Sequence, residues 1–150
     1  MASLQPIQTR KLTIVAQDPS VRINGEILRA SIEVPAEEIG MGPRGYRVDV
    51  VDYDSSTMSL YKPIKYPPLD GKREADPFAK ASDSQLLTDP NFHAQNVYAI
   101  VMKTLARFEF ALGRRVSWGF YGHQIKIAPH AFADANAFYS EQDQALMFGY

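Results

Sequence analysis

Asp89-Pro90-Asn91-Phe92-His93-Ala94-Gln95-Asn96-Val97-Tyr98, continuing through Met102 and Leu105 to Leu112-Gly113, is the stretch that decides the fold. Asp89 has the side-chain acceptor of a helix N-cap, and Pro90 suits the first helical position, where no N–H partner is needed. Gly113 followed by Arg114-Arg115 makes a stop, since glycine tolerates the left-handed cap and cations suit the negative end of a helix. Between these signals Val97, Val101, Leu105, Phe108 and Leu112 recur at helical spacing, and Ala94, Tyr98, Met102 and Ala106 form a second apolar row. Two rows predict one long helix buried on more than one side, the spine of the core.

The segments on either side of this helix read as strands. Lys11 to Ala16 is β-branched and apolar, and Asn24-Gly25 between Val21-Arg22-Ile23 and Glu26 to Val34 is a two-residue hairpin signal, because both positions of a type I′ turn need positive φ. Ala30, Ile32 and Val34 alternate with Arg29, Ser31 and Glu33, as do Tyr46, Val48 and Val50 with Arg47 and Asp49. Alternation of this kind predicts an antiparallel β-meander with one wet face. Residues 62 to 90 hold Pro63, Pro67, Pro68, Pro77 and Pro90 and a charged patch from Asp70 to Glu74, which predicts an irregular connector. Tyr61, Ile64, Tyr66 and Phe78 are expected to pack it down. After the helix, Trp118 to Phe120, Gln124 to Ala128, Asn136 to Tyr139 and Gln144 to Tyr150 predict two or three further strands. The fold class is therefore α+β: a β-region over 1–61, a connector over 62–88 and a helix with antiparallel strands over 89–150, able to pack as one unit.

Composition narrows the functions. The chain has 150 residues, 45% of them hydrophobic and 22% charged, which are globular values. Its net charge of −1, with no basic run longer than pairs such as Lys72-Arg73 and Arg114-Arg115, gives no stripe to track phosphates, so nucleic acid is not an expected partner. The absence of cysteine excludes disulfides and thiolate metal sites. Met1 to Pro6 shows no signal-peptide pattern, and no eighteen apolar residues run together, so a cytoplasmic chain without a membrane partner is expected.

Candidate chemistry is sparse. His93, His123 and His130 have neither the i, i+4 spacing of a zinc helix nor a short loop spacing, so satisfied imidazoles are the simpler reading. Asp52-Tyr53-Asp54-Ser55-Ser56-Thr57 has oxygen ligands at alternate positions, as a calcium loop would, but lacks the glycine and distal glutamate of an EF-hand; a polar turn is the simpler reading. Glu109 has no partner carboxylate in the sequence, and no phosphate-cradling glycine pattern or G-x-S-x-G elbow occurs.

One constellation points further. Gln95-Asn96-Val97-Tyr98-Ala99 in the helix, then Asn136-Ala137-Phe138-Tyr139, then Ala145-Leu146-Met147-Phe148-Gly149-Tyr150 resembles the part of thermolysin-like (gluzincin) zinc metallopeptidases that precedes the zinc-binding helix. The resemblance spans about Phe92 to Tyr150, roughly 60 of the 150 residues. It implies that Asn136, Ala137, Phe138 and Tyr139 form a substrate-binding edge strand. Asn136 would offer its side-chain amide near the scissile bond, the Ala137 backbone would pair with the peptide, and Phe138 and Tyr139 would shape side-chain pockets. It also implies a zinc cofactor in the complete enzyme, yet the sequence reaches Tyr150 without a His-Glu-x-x-His motif. The expectation is thus a catalytically incomplete substrate-cleft part with no metal or cofactor of its own, taking a peptide or protein along an edge strand. A self-contained peptide- or protein-binding module is the alternative. If Ala145 to Tyr150 exposes an unpaired edge, a homodimer through this C-terminal strand is also expected.

Overall fold

The computed structural model describes residues 9–68 and 76–150. Met1 to Pro6 and the charged patch from Asp70 to Glu74 lie outside the described residues. The chain is α+β, as expected. The long helix, α2 (Pro90–Leu112), begins on Asp89, whose Oδ1 accepts from the Asn91 N–H at 2.9 Å, and ends on Gly113 at φ 63°. Its buried residues are Phe92, Ala94, Gln95, Tyr98, Ala99, Met102 and Leu105. Of the two apolar rows, the one through Tyr98 and Met102 faces the core, while Val97 and Val101 pack at its margin. Past Leu105 the helix runs into solvent, leaving Phe108, Phe110 and Leu112 exposed.

A second, short helix, α1 (Asp83–Thr88), lies inside the segment expected to be irregular. Its signal is Ser82-Asp83-Ser84-Gln85, a reciprocal capping box in which the Ser82 side chain accepts from the Gln85 N–H and the Gln85 side chain accepts from the Ser82 N–H. Proline density on either side masked it.

Strands β1 (Thr9–Val15) and β4 (Arg29–Pro35) pair antiparallel with Leu12 opposite Ile32. Between them the hairpin of β2 (Arg22–Ile23) and β3 (Glu26–Ile27) turns at Asn24 and Gly25, with φ of 53° and 83°. The meander ends there. The next strand, β5 (Val48–Val50), leaves for a second sheet in the order β5-β8-β10-β9 and pairs parallel with β8 (Ile125–Phe132). Parallel neighbours need a long crossover, and the chain from Val51 through the tiny β6 (Tyr53–Asp54) and β7 (Ser59–Leu60) pair and both helices supplies it. Strand β10 (Ala145–Gly149) then runs parallel to β8 and antiparallel to β9 (Ala137–Ser140). Trp118 to Phe120 is irregular, with the Trp118 indole N–H shared between the Arg47 and His123 carbonyls at 3.2 Å.

α2 packs against both sheets, touching β1, β4, β5 and β8. Leu12, Val34, Val48, Tyr66, Tyr98 and Ile127 consequently share one core, to which all three expected regions contribute. The connector is packed down as its apolar residues require: Tyr66 is buried and donates to Gln95 Oε1 at 3.0 Å, and Phe78 meets the Phe92 ring edge-on at 5.4 Å. Gly45 leaves room for the Glu37 carboxylate: a Cβ there would lie 1.9 Å from Glu37 Oε1 and 2.9 Å from the Tyr98 hydroxyl, so any larger residue would have to displace the Glu37 side chain. Among the described residues no helix is long and apolar enough to cross a membrane.

Ile127 sits fully buried in the central strand. Ile127→Ala is expected to cost about 2–5 kcal/mol in a denaturant titration, because the lost methylenes leave a cavity, whereas Phe110→Ala, at 91% exposure, should stay within about 0.5 kcal/mol.

Candidate functional site

The four residues singled out in the sequence fall at the terminal strand of the second sheet. Ala137, Phe138 and Tyr139 lie in β9, and Asn136 immediately precedes it. Of that sheet's two margins, the one at β5 is closed by the Gly40–Gly45 loop, through Val50 N–H to the Pro43 carbonyl at 3.0 Å and Gly45 N–H to the Val48 carbonyl at 2.8 Å. The β1 margin of the first sheet is closed by side chains: Asp76 Oδ2 accepts from Thr13 N–H at 2.6 Å, and Asn96 Oδ1 from Val15 N–H at 3.0 Å. At β9 no further strand follows among the described residues, and the Ala137 N–H is met only by the Oδ1 of Asn136 at 2.8 Å.

The direction of the free groups follows from the ladder. Gly149 N–H donates to the Asn136 carbonyl at 2.9 Å, so the Asn136 carbonyl points inward toward β10. Antiparallel ladders alternate the side on which backbone groups pair, which turns the N–H and C=O of Ala137 and Tyr139 outward. Side chains alternate across the sheet as well. Phe138 stacks on Phe132 at 5.5 Å on one face. Tyr139 joins Trp118, Phe120, Tyr121 and Ile125 around an open hollow of about 500 Å³ on the other. This aromatic hollow was not foreseen, because Trp118 to Tyr121 is irregular and far from Tyr139 in sequence.

The C-terminal strand does not have the open edge that was expected of it. β10 is paired on both sides, by β8 and β9, so an unpaired edge for a second copy exists at β9 and not at β10. Gly149 is needed at that position: an added Cβ would lie 1.7 Å from the Asp134 carbonyl oxygen.

A polar cluster lies at the other end of the second sheet. Pro129 cannot donate to a ladder, and the β8–β10 register runs to Ala128 and resumes only at Phe132. The intervening His130 is buried, with Nδ1 at 2.7 Å from Asp52 Oδ1 and Nε2 at 2.9 Å from Nδ1 of His93. His93 Nε2 lies 3.1 Å from the Leu87 carbonyl. Burial, and next the neighbouring His130, lower the basicity of His93. The structure thus brings together two of the three histidines, 37 residues apart, while His123 stacks alone on Tyr46 at 4.6 Å. Among the described residues no group of three His, Cys, Asp or Glu could hold a metal ion.

The Asp52–Thr57 segment forms a polar turn. Asp54 Oδ1 accepts from the Ser56 N–H and hydroxyl at 2.8 and 2.6 Å and from Thr57 N–H at 3.2 Å, and Oδ2 accepts from the Tyr150 hydroxyl at 2.7 Å. Both oxygens are filled by donors, which is the geometry of a cap and not of an open calcium ligand. Glu109 pairs with Arg47 at 3.0 Å and caps Val116 N–H.

No family model, curated protein or solved structure matches this chain.

The Ser56 hydroxyl above all, then Tyr150 and Thr57, hold the Asp54 carboxyl well below the usual carboxylate range, against an opposing effect of burial. A depressed carboxyl contributes stability above its unfolded value, near pH 4, and loses it as pH falls toward the folded value. Asp54→Asn should therefore shrink the difference in melting temperature between pH 7 and pH 3, measured by circular dichroism; an unchanged difference would remove Asp54 from the acid response.

Proposed function

We propose that this chain provides the substrate cleft of a thermolysin-like metallopeptidase, in which β9 receives an extended peptide as an added strand. The observation that supports this best is the position of Asn136-Ala137-Phe138-Tyr139 at a sheet margin where, among the described residues, no further strand follows and only the Asn136 side chain meets an outward N–H, beside an aromatic hollow. A row of outward N–H and C=O groups captures any extended backbone, and adjoining pockets then choose among side chains. Ala137 and Tyr139 supply the backbone pairs. Asn136 is exposed, so exchanging its contact with Ala137 N–H for one with a peptide N–H requires only a side-chain rotation. Tyr139 presents the aromatic wall on one face, and Phe138, backed by Phe132, presents the other.

The zinc that such a peptidase needs does not fit the residues present. A catalytic zinc takes three protein ligands and one open position. His93 and His130 spend their ring nitrogens on each other, on Asp52 and on Leu87, and the sequence contains no His-Glu-x-x-His. Peptide capture, and not bond cleavage, is accordingly the chemistry assigned to these residues.

A terminally blocked hexapeptide rich in valine and threonine serves as probe. Tyr139→Pro, which deletes an outward N–H without touching the core, should weaken its dissociation constant, measured by fluorescence anisotropy, by roughly tenfold or more, and Asn136→Ala by about tenfold to a hundredfold, since a lost hydrogen bond in a desolvated cleft costs about 1–3 kcal/mol. Equal affinity in folded Tyr139→Pro would rule β9 out as the docking edge. Elemental analysis of the dialysed chain should find no stoichiometric zinc.

A further inference from the structure

The Leu87 carbonyl, His93, His130 and Asp52 form one unbranched chain of three contacts, of 3.1, 2.9 and 2.7 Å. Its ends are both acceptors: a carbonyl oxygen can only accept, and an ionised carboxylate is acceptor-only. Two neutral imidazoles bring two N–H groups. If these serve the two ends, two lone pairs face each other across 2.9 Å in the middle; if one serves the middle, a lone pair faces either the carbonyl or the carboxylate. Three contacts need three protons.

We infer that Asp52, His130 and His93 form a buried proton-binding site that holds one proton beyond the two of the neutral imidazoles, shared as a unit. With that proton the cluster is electrically neutral, a carboxylate balanced by an imidazolium. Without it, a net negative charge remains on Asp52, whose other oxygen, Oδ2, is buried and has no hydrogen-bond partner among the described residues. The proton resides on His130. That ring is the one in contact with the carboxylate, while burial and the adjacent charge keep His93 neutral. The groups around the two rings add no competing cation among the described residues. Tyr61 and Tyr150 meet His130 at 5.4 and 5.6 Å, with Asp54 behind both hydroxyls, and Phe92 borders His93 at 6.4 Å.

The site ties together the last turn of α1 through Leu87, the first turn of α2 through His93, the interrupted part of β8, and the link from β5 to β6. Burial, and next the neighbouring His130, lower the basicity of His93, so its neutral ring contributes stability above the ordinary histidine value, about pH 6.5, that is lost as pH falls.

Nitrogen-15 spectra of the histidine rings test this on the full chain. At about pH 6.5, His130 should carry protons on both nitrogens and His93 on Nε2 alone. Asp52→Asn is nearly isosteric and replaces the carboxylate by an amide that can donate to His130 Nδ1. Its chain closes with two neutral rings, both protonated on Nε2, so the His130 Nδ1–H signal should vanish. If that variant does not fold, His93→Gln places an amide that can donate to His130 Nε2, so the third proton is no longer needed. His130 should then keep its Nδ1–H toward Asp52 and lose its Nε2–H; a His130 left doubly protonated there would show that His93 has no share in the proton. A neutral His130 in the wild-type chain at that pH, or a His130 imidazolium that persists unchanged in Asp52→Asn, would overturn the shared site.

Discussion

Gln95 is the junction on which the structure depends. It is a polar side chain at zero exposure in the middle of the buried stripe of α2, and burying an amide is costly unless its bonds are made. They are made in three directions: Nε2 donates to the Thr13 carbonyl of β1 at 3.2 Å and to Asp76 Oδ1 at 2.9 Å, and Oε1 accepts from Tyr66 at 3.0 Å. Asp76 in turn accepts from Thr13 and Phe78. One amide therefore fixes the helix, the first sheet and the connector relative to one another. The apolar residues around it supply the driving force, and Gln95 supplies the register, since a helix slipped by one residue would leave several buried polar groups without partners.

With α2 fixed, both sheets are placed. The helix is the crossover that lets β5 and β8 lie parallel, and its stripe is wide enough to cover β1 and β4 as well. The second sheet then grows outward from this core through β10 to β9, each strand less buried than the last. A terminal strand at such a margin is normally blunted by charge, proline or a covering loop. Among the described residues β1 and β5 are covered in this way, whereas no further strand pairs with β4, where Lys103 reaches the Glu33 carbonyl, or with β9; of these two margins β9 adjoins the aromatic hollow.

Much of this was legible in the sequence wherever the signal was local. Asp89-Pro90 and Gly113 bounded α2 correctly, and Asn24-Gly25 marked the hairpin, because caps and primed turns depend on a residue's own conformational limits. What could not be read was long-range. The alternation of Tyr46, Val48 and Val50 says that a strand exists but not which strand it will join, and parallel pairing with β8 is decided by the path of α2. The contact of His93 with His130 depends on Pro129 interrupting a ladder, which no spacing rule encodes. Asn136 to Tyr139 were singled out by a resemblance; their open margin and the hollow beside Tyr139 are additional facts of the tertiary structure. Helix α1 was readable from its capping box and was passed over for the prolines around it.

The central claim is that an extended peptide docks along β9. Isotope-filtered nuclear Overhauser spectra of the labelled chain with an unlabelled blocked peptide address it most directly. The account predicts interstrand contacts from peptide backbone protons to the amides of Ala137 and Tyr139, alternating with peptide side-chain contacts to the Tyr139 and Trp118 rings. Contacts confined to the exposed end of α2 around Phe108 and Phe110, with none to β9, would contradict it.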